Sequence, residues 1–174
     1  MIQDLLLFSN QVKKVHSTIN DGGCGVFAYH MAKRLEQYMP IKLRVYANIK
    51  QEDMDTIRLK IIETKGKVGN IYCWNRHDFY FGHIVIEIEF NGQVYHYDAN
   101  GLHLITNNFH PEYNYLSSGY LHLSELEELI KVPHYWNDEF DRKEIPILKR
   151  RIKRFFSAFI ELGRPYYTPF LKPD

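Results

Sequence analysis

An α+β domain is predicted for this chain by three patterns: a helix packed on an antiparallel sheet, with an added helix at the C-terminal end. Two alternating apolar and polar runs over residues 83–100 flank Asn91-Gly92, the strongest short hairpin signal a sequence carries. Phe27, Ala28, Met31 and Leu35 recur from Cys24 at three- and four-residue steps, the period of a half-buried helix. Near the C-terminus Leu148, Ile152, Phe155, Phe156, Phe159 and Ile160 form a second helical stripe, surrounded by Lys149, Arg150, Arg151, Lys153 and Arg154.

In chain order, Asp21-Gly22-Gly23-Cys24 is a turn signal, followed by a helix over Gly25 to Tyr38 that Pro40 stops. Ile41, Leu43 and Val45 then alternate as in a strand. Residues 54–63 fit a helix face through Met54, Ile57 and Ile61, and equally a strand through Ile57, Leu59 and Ile61. With Asn91 and Gly92 as the turn, paired positions of the hairpin sum to 183, as 91 and 92 do. That register gathers Ile84, Ile86, Ile88 and Phe90 with Tyr95, Tyr97 and Ala99 on a core face. The opposite face carries His83, Val85, Glu87 and Glu89 against Val94, His96, Asp98 and Asn100.

After residue 110 come an aromatic-rich loop, a short helix from Ser124 with Glu127 as its capping-box partner, and turns near Pro133 and Pro146. The last helix is expected to end at Gly163, before a tail with Pro165, Pro169 and Pro173. The chain therefore divides into a domain over 1–147 and a basic amphipathic helix with its tail over 148–174.

Composition narrows the function. The chain has 174 residues, enough for one ordinary domain, and its 45% hydrophobic and 25% charged residues are those of a globular protein. With 22 Lys and Arg against 21 Asp and Glu, the net charge of +1 excludes a polycation for nucleic acid, so any basic function is local. The two cysteines, Cys24 and Cys73, make no disulfide scaffold. The N-terminal stretch has an acid, Asp4, and only a short apolar run, Leu5 to Phe8, where a signal peptide needs a positive start and a longer core. A reducing, cytoplasmic location is the expectation. The excess is aromatic, at 15% with 13 Tyr and 11 Phe.

Chemistry concentrates at two places. A cysteine at a helix N-terminus lies among free N–H groups at the positive end of the helix dipole, which favours thiolate over thiol. Cys24 has that position, and two preceding glycines would let a carbonyl approach the backbone, with the Cys24 N–H as an oxyanion donor. A thiolate nucleophile also needs an imidazole and a group that orients it. In the hairpin register His83 lies diagonal to Asp98 and opposite Asn100, on one face. Cys73, between Tyr72 and Trp74, reads as core.

These residues resemble the transglutaminase-like branch of the papain-like cysteine enzymes. Gly22-Gly23-Cys24-Gly25-Val26-Phe27-Ala28, with Met39-Pro40-Ile41-Lys42-Leu43-Arg44-Val45 after it, is similar to that family's nucleophile helix and following strand. His83-Ile84-Val85-Ile86-Glu87-Ile88, Asn91-Gly92 and Asp98 are similar to its histidine strand, hairpin and acidic strand, and the two blocks together span about residues 20–101. The resemblance implies a papain-like core in which Cys24 attacks an amide carbonyl, His83 moves the protons and Asp98 orients the ring. It also implies a protein or peptide substrate, a thioester intermediate and no cofactor. Asn20, Gly23 and Asn100 are candidates for the oxyanion site or cleft, with Gln11 a further nearby amide.

A second resemblance, to ovarian-tumour-type deubiquitinases, rests on Asp21-Gly22-Gly23-Cys24 and His96-Tyr97-Asp98 and would make His96 the base. Its position opposite Glu87 also fits a cross-strand His–Glu pair. His77, His83, His96 and His103 lie near Asp98, but no His-x-x-x-His or Cys-x-x-Cys pair occurs, so no metal site is expected. Lys149, Arg150, Arg151, Lys153 and Arg154 are the candidate surface for an acidic partner or an anionic surface. A noncatalytic module working through that helix is the alternative function. Cleft walls are expected in segments 72–81 and 109–120.

Overall fold

The computed structural model describes residues 2–20, 22–47, 81–105, 117–131 and 140–161. Residues 54–63, Cys73, His77, Asp21 and most of the two expected cleft segments lie outside them.

Helix α1 (Ile2–Val15) opens the chain, and helix α2 (Cys24–Leu35) begins at the cysteine itself. Strands β1 (Ile41–Ala47), β2 (Phe81–Phe90), β3 (Gln93–Asp98), β4 (Gly101–Leu104) and β5 (Ser117–Leu121) follow. Helix α3 (Leu123–Leu129) and helix α4 (Ile145–Phe155) complete the order, the latter running into a π-helical turn at Phe156–Glu161. The strands form one sheet in the order β4-β3-β2-β1-β5, with every neighbouring pair antiparallel. The protein is thus an α+β fold among its described residues, as the patterning predicts.

The hairpin has the register read from the sequence: Ile86 pairs with Tyr97, Glu87 with His96 and Ile88 with Tyr95. Asn91 and Gly92 have φ of 51° and 72°, the two left-handed residues a type I′ turn requires, which explains why this dipeptide sits there. Ile84, Ile86, Ile88, Tyr97 and Ala99 are buried in the main core as expected, whereas Phe90, at the strand end, is exposed.

α2 packs on the sheet with Val26, Phe27, Met31 and Leu35 buried, and the Phe27 ring lies 5.7 Å from that of Tyr97. α1 supplies Leu5, Phe8 and Val12 to the same core; their three- and four-residue spacing is the signal that betrays a helix no motif had marked. Part of the aromatic excess is accounted for here. Phe8 stacks on Phe155 at 4.6 Å, Phe155 meets Phe156 edge-on at 5.3 Å, and Phe156 stacks on Tyr38 at 5.6 Å.

Three expectations need correction. α3 starts one residue early, at Leu123, and the capping carboxylate is Glu125, whose Oε2 accepts the His122 N–H at 2.6 Å. Glu127 instead points to α2, with its carboxylate 4.0 Å from Lys33 Nζ. Residues 117–121 are a sheet strand rather than the end of a loop, because they pair with Leu43 to Ala47 of β1. Finally, α4 begins at Ile145, so a boundary at 147 cuts its first turn. Leu148, Ile152, Phe155 and Phe156 belong to the one main core, and the helix is an integral layer of the domain.

The packing of α4 on α2 has an electrostatic consequence. His30 is pushed down to about 4 by burial and by the neighbouring Lys149 and Lys33, with Glu127 opposing. Between pH 6.5 and 4 the unfolded chain binds a proton at this site that the native protein refuses. The stability contributed by neutral His30 is therefore present above pH 6.5 and lost as pH falls through 4. Urea unfolding of His30→Gln should show a smaller drop in stability from pH 7 to pH 4 than the parent protein. Equal drops would overturn this account.

Candidate active site

The first turn of α2 places Cys24. Gly22, at φ 112°, turns the chain in a conformation that side chains avoid, and Gly23 is the N-cap, with Phe27 N–H donating to its carbonyl at 2.9 Å. Gly23 also serves the protein's own packing. A Cβ there would stand 2.7 Å from the Ile19 carbonyl and 2.8 Å from Phe140 Cγ, so this packing requires a residue without a side chain. No side-chain hydrogen bond caps α2 at Gly23, and the first N–H groups of a helix have no partner within the helix itself.

His83 and Asp98 come from neighbouring strands. β1 and β2 pair regularly up to Tyr46 and His83, where the register shifts before Ala47 and Phe81. Asp98 is the last residue of β3. His83 Nε2 lies 2.7 Å from Asp98 Oδ2. The other carboxylate oxygen, Oδ1, accepts the backbone N–H groups of Asn100 at 2.7 Å and Gly101 at 3.2 Å. Bonds at both oxygens thus hold the carboxylate in this orientation.

Cys24 acts on the same imidazole. Burial alone disfavours the charged ring, but the hydrogen bonds to Asp98 and Cys24 and the charges of both outweigh it, pushing His83 up to about 10. The raised proton affinity favours the imidazolium at neutral pH. All three residues are buried, with exposures of 5%, 1% and 2% for Cys24, His83 and Asp98. Low local dielectric strengthens each of these interactions.

The remaining sequence candidates have these surroundings. Asn100 lies in the turn after β3, with its side-chain oxygen accepting from Lys13 Nζ at 2.6 Å. Asn20 Oδ1 and Gln11 Oε1 are buried without a hydrogen-bond partner. His96 stands opposite Glu87, with Nε2 3.7 Å from that carboxylate and Nδ1 3.3 Å from the Tyr46 hydroxyl, while Asp98 holds His83. The cross-strand pairing is thus the geometry in which His96 is found. Arg151 is a correction: it is buried between Leu148 and Phe155, so the basic face of α4 consists of the exposed Lys149, Arg150, Lys153 and Arg154.

No family model, curated protein or solved structure matches this chain. The functional reading rests on the site's own geometry. Among the described residues no cluster of His, Cys, Asp and Glu could hold a metal ion, and no helix is long and apolar enough to cross a membrane. A groove of about 880 Å³ lined by Tyr38, Lys42, Leu43, Tyr120 and His122 lies at the other end of β1 from Tyr46 and His83, and so is separate from the candidate site.

Sequence motifs missed the contribution of α1. Ser9 Oγ donates to the Asp98 carbonyl at 2.8 Å, and the Tyr97 hydroxyl donates to the Leu5 carbonyl at 3.1 Å. A hydroxyl set among Leu5, Phe8 and Val12 on a buried face is the signal that could have pointed there.

Proposed function

We propose that this chain is a papain-like, transglutaminase-like thiol hydrolase or acyltransferase acting on protein or peptide amide bonds in the cytoplasm, with peptide cleavage or deamidation ahead of transfer. The observation that carries the proposal is the buried His83–Asp98 hydrogen bond of 2.7 Å, on a ring whose proton affinity Asp98 and Cys24, at the start of α2, both raise.

The chemistry follows from the placement of the protons. The Cys24 thiolate attacks the amide carbonyl carbon, forming a C–S bond as the carbonyl electrons move to oxygen, where the N–H groups of the first turn of α2 offer donors. The tetrahedral species collapses, the C–N bond breaks, and the His83 imidazolium gives its proton to the departing nitrogen. Neutral His83 then takes a proton from water as its oxygen attacks the thioester. Breaking the C–S bond releases the acid and regenerates the thiolate beside the imidazolium. An amine in place of water yields a new amide. Asp98 keeps one ring nitrogen occupied throughout, which leaves the other for the proton exchange.

A broad thiol-directed acyl probe at pH 7, followed by mass spectrometry, tests this reading. Modification of Cys24 in the folded protein, and its absence in Cys24→Ala, is expected. The alternative, a catalytically silent scaffold that binds an acidic partner or anionic surface through Lys149, Arg150, Lys153 and Arg154, is favoured by one observation, the 5% exposure of Cys24. Labelling of Cys24 only after denaturation would select it.

A further inference from the structure

α1 touches the segment that carries Asp98 at four places. The Leu5 carbonyl accepts the Tyr97 hydroxyl at 3.1 Å, the Ser9 hydroxyl donates to the Asp98 carbonyl at 2.8 Å, and Lys13 Nζ donates to Asn100 Oδ1 at 2.6 Å. Leu6 fills the fourth: its Cδ1 would be 2.9 Å from a Cβ at Gly101, whose φ of 134° already demands glycine. Residues 5, 9 and 13 are successive i, i+4 positions, so a single stripe of one helix meets residues 97 to 101 in one continuous seam.

The placement matters because the Asp98 carboxylate has no freedom left beyond its own backbone. Oδ1 is bound by the N–H groups of residues 100 and 101, and Oδ2 by His83. Whatever fixes the 98–101 turn therefore fixes the His83 bond. Pairing with β2 ends at Tyr97, so from Asp98 on the sheet holds the chain only through β4, where Asp98 pairs with Gly101. Ser9 is fully buried and bonds the backbone of Asp98 itself. A serine in that apolar stripe contributes less to the core than alanine or leucine would, and its hydroxyl is instead matched to the Asp98 carbonyl.

We infer that α1 is the clamp that sets the position of Asp98, with Ser9 as its central positioning residue and the Tyr97–Leu5 bond as a second rung. This inference rests on the triad reading of Cys24, His83 and Asp98. Ser9 touches no reacting atom; it acts through Asp98 on the proton of His83. The clamp also explains why an N-terminal helix with no motif of its own has Leu5, Phe8, Ser9 and Val12 all buried.

The test compares Ser9→Ala, Ser9→Thr and Asp98→Asn by nuclear magnetic resonance titration of the His83 ring and by the pH profile of Cys24 alkylation with iodoacetamide. Ser9→Ala should lower the proton affinity of His83 about tenfold, a shift of about one pH unit, and move the alkylation profile with it. Ser9→Thr, which keeps the hydroxyl, should restore both. Tyr97→Phe removes the second rung without opening a cavity, should act in the same direction, and carries the test if Ser9→Ala does not fold. A folded Ser9→Ala protein with unchanged titration and alkylation, alongside a shifted Asp98→Asn, would overturn the clamp alone. Asp98→Asn without effect on either readout would overturn the triad and the clamp together.

Discussion

Replacing His83 with alanine is expected to slow alkylation of Cys24 at pH 7. The reasoning starts from the ring. His83 is held as an imidazolium by Asp98 and Cys24 up to about pH 10. A cation beside a sulfur favours its nucleophilic form, and the variant loses that cation. Turnover of an amide substrate should fall further, by about 10⁴-fold, because the leaving nitrogen also loses its proton donor. The Ala variant strands the Asp98 carboxylate in the interior, a destabilising change in its own right. His83→Ala combined with Asp98→Asn removes that charge and should be equally unreactive. Parent-like alkylation in the double variant would show that Cys24 draws nothing from His83.

Deleting residues 148–174 is expected to abolish cooperative folding rather than to remove a peripheral binding surface. Leu148, Ile152, Phe155 and Phe156 are each buried to within 2% of completely, in the same cluster as Leu5, Phe8 and Phe27. At about 1.5–3 kcal/mol per buried side chain, these four account for about 6–12 kcal/mol. A domain has about 5–15 kcal/mol in all. The truncated chain should lose its sharp thermal transition in circular dichroism. The surface hypothesis calls for a gentler change, Lys149, Arg150, Lys153 and Arg154 each to Gln, which touches only exposed positions and should leave the transition in place. A folded truncation would show that the core closes without α4.

How much of this was legible before the tertiary structure varies with the range of the interaction. The hairpin was, because Asn91-Gly92 and the alternation around it are local and admit one register. That register alone brought His83 diagonal to Asp98, and the bond between them follows. The position of Cys24 at a helix start was also legible, from the glycines before it and the stripe after it. The meaning of Gly23 was not: it depends on Ile19 and on Phe140, far along the chain. The cap of α3 was misplaced because Glu125 and Glu127 are both near its start, and only their orientation separates a cap from a contact with α2.

α4 shows the same division in one element. Its charges suggested a detachable basic helix, and four of the five cations are indeed exposed. Arg151 falls on the line of Leu148 and Phe155 and is buried with them. Charge composition is a property of the segment, whereas burial belongs to what packs against it.

The amino-acid sequence by itself determined the α+β class, the hairpin and its register, the cysteine at the head of a helix, and the order Cys24, His83, Asp98. Each depends on a period of two or of three to four residues, or on a turn that glycine and asparagine dictate. Only the tertiary structure decided that α4 is core, that Asn100 faces Lys13, and that α1 grips the Asp98 turn. The physical reason is distance along the chain: Ser9, Lys13 and Leu5 meet residues 98, 100 and 97 across separations of 89, 87 and 92 residues. No local pattern encodes such contacts; they exist only once the apolar stripe of α1 has been buried.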